Sequence, residues 1–389
     1  YKRQVYGGAT FCSWYPITPS TSVAEGFEKY ASKYRVDPQT GKNNYISVQA
    51  EDELAAVGMA IGANWNGARG FTATSGPGIS LMSEFLGLAY FAEVPLVIFN
   101  IQRGGPSTGM PTRTQQSDIL SCAYASHGDT KHVLLFPEDP QECFEFSAEA
   151  FNLAERLQTP VFVISDLDIG MNDWVTDKFE WDDEQKYDRG KVLKAEDLDK
   201  MDNFGRYLDV DDDGICYRTY PGTHPEKGAF FTRGTSHDEY ARYTENGDIN
   251  EQTLTRLVKK FRTASELVPD PIINLSEKQG SSGVIFYGST SAAMYEAKDI
   301  LNENNIEVDL MRIRSFPFNL DVWEFIENHD LIYVIEQNRD SQMRTLIMAE
   351  GGISAEKLRS LVWFNGDPIQ AKFIAKKIYE RESQQALIT

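Results

Sequence analysis

Three polar side chains in the first third of the chain have the chemistry that proton transfer and carboxylate binding require. Glu53 opens residues 53–62 directly after Gln49-Ala50-Glu51-Asp52. A carboxyl group in a dry pocket at such a position can share or move a proton, because burial raises its pKa toward neutrality. Thr18 lies in Trp14-Tyr15-Pro16-Ile17-Thr18-Pro19-Ser20, and Arg103 heads Arg103-Gly104-Gly105-Pro106-Ser107-Thr108-Gly109. A hydroxyl and a guanidinium suit a substrate carboxylate, the guanidinium through a charged two-point contact. Each also has a plainer reading: Glu53 as a helix-start acid favoured by the macrodipole, Thr18 as a helix cap, Arg103 as half of a surface ion pair. Glu51 and Asp52 share the turn of Glu53 and compete for its role.

Short apolar runs alternate with longer amphipathic stretches over about residues 4–166 and again from about residue 283 to the end, the pattern of βαβ units and parallel sheets. In the first block strands are expected over 4–11, 45–48, 70–74, 96–101, 132–136 and 161–165. Helices are expected after Thr18-Pro19 and over 53–63, 79–91 and 140–157. In the last block strands are expected over 284–287, 308–313, 331–336 and 361–364, with helices over 291–302, 320–328 and 342–350. The loops carrying Thr18, Glu53 and Arg103 then follow the first, second and fourth strands. All three fall on the carboxyl edge of one sheet, where α/β ligand sites form.

Residues 168–280 are acidic, aromatic and rich in turns. An ordered arm is expected there, able to wrap a partner, because Trp174, Trp181, Phe204, Tyr207, Tyr217, Tyr220, Phe230 and Phe231 are too many aromatics for a disordered tract. Asp209, Asp211, Asp213 and Gly214 match the first half of a calcium loop, but Tyr220 stands where the closing glutamate belongs, so a solvated acidic turn is expected instead.

Composition narrows the function classes. A net charge of -20 repels phosphate backbones and anionic membrane surfaces, so neither nucleic acid nor membrane is an expected partner. The apolar runs fall well short of the roughly 20 residues a bilayer span requires, and no secretory signal opens the chain, so a cytoplasmic location is expected. Cys12, Cys122, Cys143 and Cys216 contain no Cys-x-x-Cys pair, which argues against a disulfide framework or a four-thiolate cluster within this chain. The chain begins at Tyr1 rather than Met, which leaves open what precedes it.

The run 53–62 followed by Thr74-Ser75-Gly76-Pro77-Gly78 is similar to half of a thiamine diphosphate site. No Gly-Asp-Gly with a following Asn is present to hold a metal and diphosphate, so the other half is expected on another chain. With Tyr15-Pro16-Ile17-Thr18-Pro19-Ser20 and the run 102–109, these motifs resemble the alpha subunit of the 2-oxoacid:ferredoxin oxidoreductases, the Arg-Gly-Gly-Pro-Ser-Thr-Gly run most resembling the 2-oxoglutarate branch. The resemblance is dense over the first block and looser over the last, through Arg314-Ser315-Phe316-Pro317 and Val334-Ile335-Glu336-Gln337-Asn338.

The resemblance implies an α/β fold: a pyrimidine-binding domain of parallel sheet with helices on both faces (1–167), a connecting arm (168–280) and a smaller transketolase C-terminal-like α/β domain (281–389). It implies oxidation of a 2-oxo acid with CoA to an acyl-CoA and CO2, with electrons passing to ferredoxin. Glu53 becomes the activating, catalytic glutamate, and Tyr15, Pro16, Ile17, Gly76 and Gly78 contact the cofactor. Thr18 and Arg103 bind substrate, with Arg113 and Gln116 as further candidates by proximity; Gln115 and His127 also follow the Arg103 loop, His127 reading more readily as a turn histidine before Gly128-Asp129. A beta subunit is implied to carry the diphosphate site, Mg2+ and a [4Fe-4S] cluster, and a gamma domain is implied either fused upstream or separate. No metal ligand is expected in this chain.

Overall fold

The computed structural model describes residues 2–180, 182, 184, 186–276 and 282–386; Trp181 lies outside them. The first block forms β1 (Phe11–Trp14), β2 (Ile46–Gln49), β3 (Gly70–Thr74), β4 (Leu96–Gln102), β5 (Val133–Leu135) and β6 (Pro160–Asp166). Their helices are α1 (Lys2–Tyr6), α2 (Thr21–Tyr34), α3 (Glu53–Trp65), α4 (Gly76–Phe91), α5 (Ile119–Ala123), α6 (Pro140–Leu157) and α7 (Leu167–Met171). The arm contributes α8 (Ala195–Asp199), α9 (Gly247–Ser265) and β7 (Ile272–Asn274). The last block adds β8 (Ser282–Tyr287), α10 (Thr290–Glu303), β9 (Asp309–Ile313), β10 (Ser315–Phe316), α11 (Leu320–Glu327), β11 (Leu331–Glu336), α12 (Gln342–Gly351), β12 (Leu358–Val362) and α13 (Ala371–Ala386).

The larger sheet has the order β10-β5-β6-β4-β3-β1-β2 and the smaller one β12-β11-β8-β9-β7. Every pairing is parallel except β10 with β5 and β7 with β9. β3 and β6 are buried along their whole length, as a parallel sheet covered on both faces demands. On one face Val97, Phe99, Val161 and Val163 meet α2 and α6. On the other, Leu96 and Ile98 meet α3 and α4 in a cluster that continues to Ile285, Ile332 and Phe316 of the last block. The blocks are therefore joined by a shared core and a shared sheet, since Ser315 and Phe316 pair with Leu135 and Leu134.

The strand expected over 4–11 is corrected. Its first part is α1, and Gly8, at φ 87, turns the chain before β1 begins at Phe11. The left-handed glycine ends any extended run there. The arm packs on its own chain: the Tyr207 hydroxyl donates to the Ala92 carbonyl at 3.2 Å, and Phe230 meets Trp65 edge-on. α9 is held by an ionic core in which Arg256 and Lys260 bond Glu93, Lys260 at 2.8 Å. Burial pushes the Glu93 carboxyl up, but the two cations outweigh it and keep it well below the usual range. At the acidic turn, Lys191 bonds Asp211 and Asp213 at 2.6 and 2.9 Å, and Lys259 bonds Asp209 and Asp212. The four aspartates of this turn are thus each paired with a lysine ammonium group.

Candidate active site

The carboxyl ends of β1, β2, β3 and β4 line up side by side, Trp14 opposite Gln49 and Thr74 opposite Asn100. The loops leaving them carry the residues singled out in the sequence. Asp52 caps α3, its carboxylate accepting from the Ala55 N–H at 2.6 Å, which sets Glu53 as the first helical residue. The competition within this turn has a geometric answer: Glu51 and Asp52 are exposed, whereas Glu53 is buried at 5%.

What buries Glu53 is the first turn of α4. A side chain begun at Gly78 would lie 2.8 Å from Glu53 Cγ and would collide with Thr74 Oγ1, so only glycine lets that backbone rest against the glutamate. Ser75, which precedes this turn, has a fully buried hydroxyl with no partner among the described residues. No described residue donates a hydrogen bond to the Glu53 carboxylate either. The carboxylate therefore keeps its accepting capacity for a ligand that brings a ring N–H or an amino group. The glycine cradle, the orphaned hydroxyl and the acceptor carboxylate fit an aminopyrimidine.

Thr18 and Arg103 meet directly. Arg103 Nη1 donates to the Thr18 carbonyl at 2.6 Å, and Arg103 is buried to 8%. Thr18 does not cap α2; the Ser20 and Thr21 hydroxyls instead bond Ile17. Its exposed hydroxyl thus remains available beside the guanidinium. Tyr15 and Pro16 are exposed and Ile17 half-buried, forming a lip next to it. The loop behind Arg103 is closed on itself, Gly104 N–H to Arg113 carbonyl at 2.8 Å and Met110 N–H to Gly104 carbonyl at 2.7 Å. Gln115 holds it by accepting from the Gly105 N–H at 3.0 Å. Gly109, at φ 51, packs so tightly on Gly104 that no side chain fits.

The structure places the three further candidates Gln116, Arg113 and His127 differently from one another. Gln116 is fully buried, and its carboxamide is used up between the two sheets, donating to Asp166, the Tyr287 carbonyl and Ser289 and accepting from Thr290 and the Gln337 N–H. It is a joint, with no capacity left for substrate. Arg113 pairs with Asp367 at 2.8 Å, both side chains more than half exposed. His127 is exposed and faces Glu84 at 3.5 Å, roughly 12 Å along α4 from its first residue.

The residue missed in the sequence is Asp118. Asn100 Nδ2 donates to its carboxylate at 3.1 Å, and its other oxygen lies 2.8 Å from where a side chain on Gly76 would start. Burial pushes Asp118 up to about 6, while Asn100 and Arg103 restrain it. A signal existed in β4, an otherwise apolar strand that ends with buried Asn100 and Gln102. Two such amides at a strand end need polar partners.

Known proteins resemble this chain along most of its length. Residues 3–262 match the family described as pyruvate flavodoxin/ferredoxin oxidoreductase, thiamine diP-bdg. The alpha subunit of 2-oxoacid:ferredoxin oxidoreductase 1 of Sulfurisphaera tokodaii is 36% identical over 375 residues, which cover 94% of this chain and 57% of that relative. The chain thus spans little more than half of that longer relative. The 2-oxoglutarate synthase subunit KorA of Methanocaldococcus jannaschii is 35% identical over 82% of this chain and 81% of its own length. Among solved structures, the 2-oxoglutarate:ferredoxin oxidoreductase of Magnetococcus marinus, with 2-oxoglutarate, coenzyme A and succinyl-CoA bound, is 29% identical with a TM-score of 0.86 over 97% of this chain and 63% of that one. A split-gene transketolase, at 10% identity and a TM-score of 0.52, shares the fold alone. By these matches the chain belongs to the pyruvate flavodoxin/ferredoxin oxidoreductase family, as a member of its thiamine diphosphate-binding group.

Proposed function

We propose that this chain is the alpha subunit of a thiamine diphosphate-dependent 2-oxoacid:ferredoxin oxidoreductase that converts 2-oxoglutarate, CoA and oxidised ferredoxin to succinyl-CoA, CO2 and reduced ferredoxin, in either direction. The observation that carries the reading is Glu53, a buried residue set against the glycine cradle of α4 whose carboxylate takes no donor from a described residue. In this reading residues 1–167 bind the pyrimidine, 168–280 form an arm, and 281–389 form the transketolase C-terminal-like domain. When bound, thiamine diphosphate supplies a carbon centre able to hold the electron pair that decarboxylation leaves. The chain's own residues prepare and protect that centre. Glu53 accepts a hydrogen bond at the aminopyrimidine ring nitrogen and keeps a proton there. Gly76 and Gly78 leave the first turn of α4 bare, and Tyr15, Pro16 and Ile17 form the lip. Thr18 and Arg103 orient the substrate carboxylate.

The missing Gly-Asp-Gly and Cys-x-x-Cys runs leave the diphosphate site, Mg2+ and the [4Fe-4S] cluster to a beta subunit, with ferredoxin as electron partner and a gamma domain or subunit completing the assembly. The four cysteines are free thiols, which supports a cytoplasmic location. Among the described residues no helix is long and apolar enough to cross a membrane. The test is to purify the chain with its natural partner and follow CoA-dependent reduction of a low-potential acceptor across a panel of 2-oxo acids. 2-Oxoglutarate is expected to give the highest kcat/KM, and Glu53→Gln to abolish turnover while the complex stays assembled. A complex without thiamine or cluster, or full activity in Glu53→Gln, overturns the reading.

A further inference from the structure

Asp118 stands beside Arg103 without being bonded to it. The Gln102 carboxamide accepts from its peptide N–H at 2.9 Å, Asn100 holds one carboxylate oxygen at 3.1 Å, and the other oxygen lies 2.8 Å from where a side chain on Gly76 would begin. The acid is wedged between the end of β4 and the start of α4 and has little freedom to move. Its surroundings contain few other charges. β4 offers the neutral Asn100 and Gln102, and α4 offers Gly76. α12 offers the neutral Gln342, which bonds the Ser117 carbonyl and the Leu120 N–H. α5 offers Cys122, whose thiol burial and Asp118 push well above its ordinary value, so it stays protonated. Arg103, in the loop after β4, is the cation acting on Asp118.

We propose that Asp118 is a positioning residue for substrate binding: ionised, it balances Arg103 in the empty site, and it takes up a proton from solvent when a 2-oxo acid carboxylate arrives at the guanidinium. This rests on the reading of Arg103 as the carboxylate-binding group. The physical ground is that a second anion beside a buried carboxylate favours the neutral form of that carboxylate. Thermodynamic linkage then ties affinity to pH. At low pH Asp118 is already neutral and the full charge of Arg103 faces the substrate. As pH rises, binding must draw a proton from solvent, so KM climbs. The pKa of Asp118, pushed up to about 6, puts the climb in an accessible range. The substrate's own carboxylate, being strongly acidic, is ionised throughout.

The test uses the assembled enzyme. From about pH 6 to about pH 8, the KM for 2-oxoglutarate should rise about tenfold in the wild type and change less than about twofold in Asp118→Asn, which keeps the shape and the acceptor for Asn100. The kcat profiles of the two enzymes should run parallel. Calorimetry in buffers of different ionisation enthalpy should register roughly half a proton taken up per substrate bound near pH 7 in the wild type, and none in Asp118→Asn. Equal KM slopes in both enzymes overturn the proposal. So does the absence of proton uptake by the wild type, a measurement that stands even if the variant fails to assemble. Arg103→Met separates the two claims. An unchanged KM there sinks the role of Arg103, whereas a raised KM with an unaltered slope in Asp118→Asn sinks the proposal about Asp118 alone.

Discussion

Replacing Gly78 by alanine tests the cradle with a single methyl group. The new Cβ would start 2.8 Å from Glu53 Cγ and collide with Thr74 Oγ1. Carbon atoms in contact rest at about 3.5–4.0 Å, so relieving the first contact requires Glu53 to move by roughly 1 Å. Thr74 is β-branched and stiff, sits at the end of a fully buried strand, and has little room to turn away. Overpacking of this kind costs about 1–3 kcal/mol of stability. Misplacing a reacting group by about 1 Å costs on the order of 100-fold in rate. The expected outcome is therefore a loss of about 100-fold in kcat, against a KM for 2-oxo acid within about twofold, because Thr18 and Arg103 lie on other loops. The assay is CoA-dependent acceptor reduction by the assembled enzyme, with urea unfolding in parallel. Adding Thr74→Ala to the variant removes one collision and should restore about 1 kcal/mol of stability without restoring kcat, since the contact with Glu53 remains. A Gly78→Ala enzyme that folds and turns over at the wild-type rate would show that this backbone does not place the carboxylate, and the reasoning would fail.

Two other outcomes follow from buried polar groups. Gln116→Leu strips partners from Asp166, Ser289 and the Gln337 N–H and should destabilise the fold by roughly 2–4 kcal/mol in urea, with substrate KM unchanged; a raised KM at unchanged stability would return Gln116 to the substrate site. His132, fully buried and bonded to the Ala125 carbonyl at 2.9 Å, is pushed down to about 4 by burial. The unfolded chain takes up a proton near pH 6.5 and the folded one only near pH 4, so stability is complete above about 6.5 and falls by about 3 kcal/mol as pH drops through that window. His132→Phe should lose that part of the acid slope in urea midpoints at about pH 7 and about pH 4.5, and an unchanged slope would count against the cause given.

Local signals carried the parallel sheet and the edge at which the site lies. β3, β11 and α6 span the residues their patterns predict, because continuous apolar runs and Asp-Pro helix starts are written locally. The start of α3 at Glu53 was legible for the same reason. Gln116 was not. A polar residue after a glycine-rich loop reads as a ligand-binding group, and only contacts 50 or more positions away, most of them beyond 170, reveal its structural use. α9 was hidden because its buried face includes Thr253 and Lys260, whose burial depends on Glu93 from a distant turn. β10 has two residues and no period to detect, and it exists only because the edge of β5 needs a partner. Asp118 has no motif of its own; its character comes from Asn100, Gly76 and Arg103 converging on it.

The two-residue strand β10 also decides how this polypeptide can be cut. A fragment ending between Asp166 and Ser315 would keep the six strands of the first block but expose the outer backbone of β5, with Leu134 and Leu135 on an unpaired rim. Such a rim is a template for pairing with other copies, so shortened versions are expected to precipitate rather than stand alone. The chain's obvious halves are thus not modules to be exchanged between relatives. A swap that leaves the last block behind must bring its own strand to close that side.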